Sequence, residues 1–201
     1  MEILKPKNSI TGLPSGPITE QEINQRIERQ ETMSVICIMV NHIKSFGEKY
    51  GFDLMDELIR ELALIIKMAI HHLGSGDDFI GQMDFNNFVV VTRPPREEII
   101  SREIIHIFEN DFKLLHYQDE DKKNGYMIHR GRKGETIQVP LISLAIGISS
   151  NEKTPFSNCN QAIHIASELQ KKALTWNTST YFKDRRTLLL LDNHSNGLAK
   201  S

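Results

Sequence analysis

Apolar residues along this chain follow two rhythms, and the change from one to the other predicts the elements. Ser34-Val-Ile-Cys-Ile-Met-Val40 is nearly all apolar, rich in β-branched residues and too short for a helix, so it reads as a buried central strand. Helical spacing surrounds it. Ile23 and Ile27 share one face of a helix over 19–30, and Thr19 with Glu22 fits a capping box at its start. A short helical turn over 43–50 precedes a long helix over 53–72, which turns Leu54, Leu58, Leu62, Ile65, Ile66 and Ala69 inward and ends at Gly74-Ser-Gly76. Strands over 78–83 and 88–92 then flank a polar tip. After Pro94-Pro95, a helix over 97–110 buries Ile99, Ile100, Ile104, Ile107 and Phe108, with Glu97 and Glu98 at its positive end.

The second half begins with 112–138, polar and too long for a plain loop, so part of it is expected to form an extra hairpin with Tyr126-Met-Ile128 as one strand. A strand over 139–148, a helix over 157–175 and a short strand over 180–182 follow, and 185–191 is expected to finish the sheet. Residues 1–17 read as an irregular lead-in, 18–191 as one domain and 192–201 as a disordered tail. The order α-β-α-β-β-α-β-α-β predicts an α/β sandwich with a mostly antiparallel sheet closed by a hairpin.

Composition narrows the classes. At 201 residues, 39% hydrophobic and 25% charged, the chain suits one domain with a sizeable core. No apolar run approaches membrane-spanning length, and the start MEILKPKNS is not a signal peptide, which points to a cytoplasmic protein without membrane insertion. The net charge of −2 gives no bulk support for DNA or RNA binding, and the clusters Lys122-Lys123, Arg130 to Lys133 and Lys171-Lys172 lie among carboxylates and read as solvated surface. Cys37 and Cys159 are too few for a disulfide framework. The eight histidines lack metal-ligand spacing, and no glycine-rich phosphate loop occurs. No metal or cofactor is therefore expected.

Four landmarks in order carry a resemblance. They are Ile10-Thr-Gly-Leu-Pro14, then Met39-Val-Asn-His-Ile-Lys-Ser-Phe-Gly-Glu-Lys-Tyr-Gly-Phe52, then Asp84-Phe-Asn-Asn-Phe88 at the hairpin, and Lys171-Lys-Ala-Leu174 in the last helix. Together they resemble the GGDEF family, the diguanylate cyclases and their inactive relatives, across about residues 9–186. The resemblance implies a nucleotide-cyclase-like fold with a central, mostly antiparallel five-stranded sheet flanked by helices, to which 112–138 would be an addition. It also implies a chemistry in which two facing domains hold GTP on divalent metal ions, which need hard oxygen ligands, and join two GTP into cyclic di-GMP.

Carried over position by position, that chemistry lacks its parts. The acidic metal ligands of the family fall on Met39 and Asn86, a thioether and a neutral amide; the signature's glutamate falls on Asn87, and its glycines on Asp84 and Phe85. Gly47 replaces a guanine-contacting Asn, and the late-helix lysine appears as Leu174, with Lys171 and Lys172 a turn away. Lys44 and Asp56 look retained, Asp56 as the family's second guanine contact. In the window of the inhibitory site, Ser75 stands where an arginine is needed and Asp78 is retained. The resemblance thus implies a catalytically silent domain acting as an interaction or regulatory module, partnered by a protein or a linked signalling domain, with a homodimer also compatible. The alternative is a nucleotide sensor that holds GTP or cyclic di-GMP without cyclising it.

Several residues carry two readings. Asp84 with Asp56, Asn41 or Glu48 could form a shifted site, whereas Asp84, Asn86 and Asn87 are also ordinary turn residues. Trp176 reads as a packing anchor rather than a contact surface. Residues 117–138 are either a solvated excursion or a partner-specific surface.

Overall fold

The computed structural model describes residues 6–130 and 134–186. Helix α1 (Gly16–Glu28) leads into β1 (Ser34–Asn41), followed by α2 (Ile43–Tyr50) and α3 (Phe52–Leu73). The hairpin β2 (Phe79–Gln82) and β3 (Asn87–Thr92) precedes α4 (Glu97–Ile107), which continues as a π-helical turn, Phe108–Phe112. Then come α5 (Asp119–Asn124), β4 (Tyr126–Arg130), β5 (Thr136–Pro140), β6 (Ser143–Ser150), α6 (Cys159–Leu174) and β7 (Thr180–Lys183).

Among the described residues, five strands form one sheet in the order β2-β3-β1-β6-β7. Its pairs are antiparallel except β6 with β7, which run parallel. The continuous apolar run of β1 is explained by its place at the centre of the sheet, covered on both faces. Ile36, Ile38 and Val40 face one core with α2, α3 and α4, whereas Val35 and Cys37 face a second core with Ile23 of α1 and Ala162 and Ala166 of α6. Gly147 of β6 admits α6 at close range, since a Cβ there would overlap the Ala166 carbonyl.

Several expectations are corrected. The first helix begins at Gly16, inside the stretch read as an irregular lead-in, because Pro17 sits in its first turn, where a missing N–H costs nothing. Thr19 is therefore not a cap. It is buried in the helix and its hydroxyl donates to the Ser15 carbonyl at 3.0 Å, while Glu22 pairs with Arg26 at 2.7 Å. Ile99 is 46% exposed, because α4 buries Glu97, Ile100, Ser101, Ile104 and Ile107, a stripe that leaves Ile99 outside. The segment read as one strand over 139–148 is split: β5 belongs to a separate ribbon and β6 to the sheet, with Leu141 and Ile142 buried between them. Arg185 and Arg186 are not strand residues, and 187–191, like the tail 192–201, lies outside the described residues.

The stretch 112–138 does hold the expected hairpin, β4 paired with β5 from Tyr126↔Pro140 to Arg130↔Thr136. A two-stranded ribbon is marginal alone and needs a packed face. Met127 supplies it, fully buried in the α3-side core. Asp121 of α5 is only 4% exposed and accepts hydrogen bonds from Lys49 Nζ at 2.5 Å and from the Tyr50 hydroxyl, both on α2. The Tyr117 ring stands edge-on to Phe46 and Tyr50, with centroids 5.5 Å from each, and its hydroxyl accepts from Ile142 N at 2.8 Å. Burial raises the pKa of both tyrosines above the ordinary phenol value. Among the described residues no helix is long and apolar enough to cross a membrane.

Candidate functional site

The resemblance places the site at the end of β1 beside the β2–β3 tip, and the register assembles part of it. Met39 lies opposite Asn87 on β3 and Ala145 on β6. Both Met39 and Asn87 sit on the α6 side, two positions from Cys37 and Val89 of that core. There Gln170 of α6, itself buried, donates its amide to Asn87 Oδ1 at 3.2 Å. Asn86 points back to β1, its Nδ2 donating to the Val40 carbonyl at 3.2 Å. A carbonyl only accepts, so Asn86 must present its NH₂ to it.

Asp84 is exposed at the tip, where its carboxylate accepts the Asn86 N–H at 3.2 Å, which is turn chemistry. Phe85 is half-buried against the α3-side core, and its carbonyl accepts from Gln82 Nε2 at 2.8 Å. Gln82 Oε1 in turn accepts from the Thr11 hydroxyl. Thr11 belongs to the loop opening the domain, where Asn8 Oδ1 takes the N–H groups of Ile10 and Thr11 at 2.9 and 3.2 Å and Gly12 supplies the positive φ of 69°. A chain of polar contacts thus ties the Ile10-Thr-Gly-Leu-Pro14 landmark to the hairpin. Gln82 and Gln170 were not singled out from sequence, because an isolated Gln carries no local signal, and Thr11 was read only as part of its landmark.

The other candidates make contacts of their own. Asn41 closes β1 onto the end of α6, its Nδ2 donating to the carbonyl oxygens of Leu174 at 3.1 Å and Trp176 at 3.5 Å. Lys44 is exposed on α2, Asp56 is half-buried on α3, and neither forms an ion pair among the described residues. Between those helices, a Cβ at Gly47 would come within 2.7 Å of Met55 Sδ, so Met55 fills the space the glycine leaves. Ser75 and Asp78 cap the turn after α3: both carboxylate oxygens of Asp78 are taken by Ser75, from N at 2.8 Å and from Oγ at 3.1 Å. His42, in the left-handed region with φ 60°, begins α2; burial holds its pKa below the ordinary 6.5, and Nε2 is buried with no hydrogen-bond partner among the described residues. Burial pushes the Cys37 thiol up to about 12, which removes it as a nucleophile.

A divalent metal does not fit this hairpin. The family's two ligand positions hold a thioether and a neutral amide whose Nδ2 donates to Val40, Asn87 Oδ1 is taken by Gln170, and the Asp84 carboxylate at the tip accepts the Asn86 N–H, whereas hard cations require several charged oxygen ligands. Among the described residues no group of three or more His, Cys, Asp or Glu is placed to hold a metal ion.

An antiparallel sheet with one parallel edge strand, helices on both faces and a hairpin beside the central strand define a cyclase-like α/β domain. The family model for the diguanylate cyclase GGDEF domain matches residues 8–175, and the chain belongs to the GGDEF family. No curated protein matches the sequence. Among solved structures, the GGDEF domain of TpbB (YfiN) from Pseudomonas aeruginosa is 17% identical with a TM-score of 0.62, over 88% of this chain and 94% of that one. The diguanylate cyclase SiaD of the same organism, solved with its activator SiaC, is 12% identical with a TM-score of 0.64, over 88% of this chain and 61% of that one. Vibrio cholerae LapD, an S helix-GGDEF-EAL protein bound to c-di-GMP, is 14% identical with a TM-score of 0.63, over 89% of this chain and 37% of that one. At these identities the likeness establishes the fold.

Proposed function

We propose that this chain is a GGDEF domain without cyclase activity, working as a regulatory or interaction module in cyclic di-GMP signalling. The hairpin tip Asp84-Phe-Asn-Asn-Phe88 is the counterpart of the family signature, and the single observation that carries the reading is the orientation of Asn86. Its amide donates inward to Val40, so the group at the metal-ligand position is a hydrogen-bond donor engaged with backbone rather than an anionic acceptor open to a cation. Asn87 is likewise closed by Gln170. Without metal-held charge stabilisation the largest electrostatic contribution to phosphoryl transfer is missing. SiaD bound to its activator and LapD, with its linked domain, illustrate the settings in which such a module would meet a protein partner.

A second reading, a sensor that holds GTP without cyclising it, is favoured by Lys44 and Asp56, which have no partners among the described residues. The test is a pair of assays. The Met39→Asp/Asn86→Asp double variant, given GTP and Mg²⁺, is expected to form little cyclic di-GMP, because Phe85 and the Met55-filled gap at Gly47 still hinder nucleotide seating. Robust product from the double variant would show that the groove is intact apart from its ligands. Calorimetric binding of GTP that Lys44→Ala and Asp56→Ala abolish would favour the sensor.

A further inference from the structure

Trp176, the chain's single tryptophan, is 53% exposed, contrary to its reading as a packing anchor. It follows the end of α6, its ring tilted at 56° against Phe182 of β7 with centroids 6.3 Å apart. One turn back, Lys172 Nζ lies 4.5 Å from the Phe182 ring centroid. A groove of about 530 Å³ runs between α6 and the end of β7, lined by Lys172, Lys183, Arg185 and Arg186 against Glu168 and Asp184, and Lys172 is the residue it shares with the ring pair. Two of those cations are committed: Lys183 to Glu97 and Glu98, and Arg186 to Asp184 at 2.8 Å. Lys172 and Arg185 form no ion pair among the described residues.

We infer that this α6–β7 face is a second binding site, for a nucleoside phosphate, distinct from the hairpin groove. The exposed indole of Trp176 is a stacking platform for a flat base, and stacking is tolerant of base identity. Lys172 and the forked guanidinium of Arg185 supply the charge a phosphoryl group needs. A groove of this size suits a small ligand better than a broad protein face. The acidic surface of a protein would satisfy the cations but would leave the ring pair unused. Nothing in this inference depends on whether the hairpin is silent, so either proposal can fail alone.

Because Trp176 is the only indole in the full chain, its fluorescence reports on this face and nowhere else. Titration with cyclic di-GMP and with GTP is expected to give saturable quenching by at least one of them. Lys172→Glu and Arg185→Glu should each weaken it about tenfold, the loss of one charge-assisted contact. Both side chains are exposed, so the fold should tolerate either change. Absence of quenching by either nucleotide overturns the inference. So does quenching that both charge reversals leave intact, quenching abolished by Lys44→Ala, which would place the nucleotide in the hairpin groove, or equal quenching by inorganic phosphate, which would remove the role of the base.

Discussion

Two polar clusters flank the first half of the domain, and their chemistry is opposite. Beside the exposed carboxylate of Asp84, the hairpin's inward-facing groups are the neutral amides of Asn86, Asn87, Gln82 and Gln170, which bond to backbone or to other uncharged groups. At the docking face of the added segment, Asp121 is a buried carboxylate held by a lysine and a tyrosine of α2. The family resemblance leads one to look for charge at the first cluster, yet buried charge is found at the second. The hairpin's amides turn to partners within the protein, whereas Tyr117, α5 and β4 pack onto the folded body, anchored on the helix that carries Lys44.

Breaking the charged cluster should have the largest effect. Asp121→Ala leaves the Lys49 ammonium without its partner, and urea unfolding should show a loss of about 3 kcal/mol, in the range for one half of a buried pair. Asp121→Asn should lose less, because the amide oxygen still accepts from Tyr50. At the hairpin, Asn86→Asp would set a carboxylate 3.2 Å from the Val40 carbonyl, an acceptor facing an acceptor. A loss of about 2 kcal/mol is expected at neutral pH, that of a buried polar group left unsatisfied. It should shrink as the pH falls, because the protonated carboxyl can donate to Val40. Asn87→Ala and Gln170→Ala should each cost about 1 kcal/mol and couple in a double-mutant cycle, as one neutral hydrogen bond does. Full additivity would mean that the amide contact contributes nothing.

The smallest effect concerns His42. Its folded pKa lies below 6.5, so between the two values the unfolded chain binds more protons than the folded one, and stability should fall as pH drops through that window. Above the unfolded value the effect is absent. His42→Gln should flatten this part of the stability profile, and an unchanged profile would mean that the imidazole is free to ionise.

Much of this was legible in the sequence, for identifiable reasons. The uninterrupted run of β1 and the helical stripe of α3 each bury one consistent set of residues, so period alone located them. The ordered landmarks pointed to the family, and the residue types at Met39 and Asn86 are what the proposal of a silent hairpin starts from. What was not legible depends on distant partners. Pro17 outweighed the Thr19 capping signal, the burial of Asp121 needed Lys49 and Tyr50 more than seventy positions away, and Gln170 meets Asn87 only because Gly147 lets α6 close on the sheet. Periodicity cannot report such pairings. Ile99 shows the same limit, since an apolar residue next to a stripe looks much like one inside it.

The central claim, that the hairpin groove performs no cyclisation, is tested most directly by incubating the purified full chain with GTP and Mg²⁺ or Mn²⁺ and resolving the nucleotides by chromatography over time. The account predicts no cyclic di-GMP above a protein-free control with either metal. Steady accumulation of cyclic di-GMP, abolished by chelation of the metal, would contradict it.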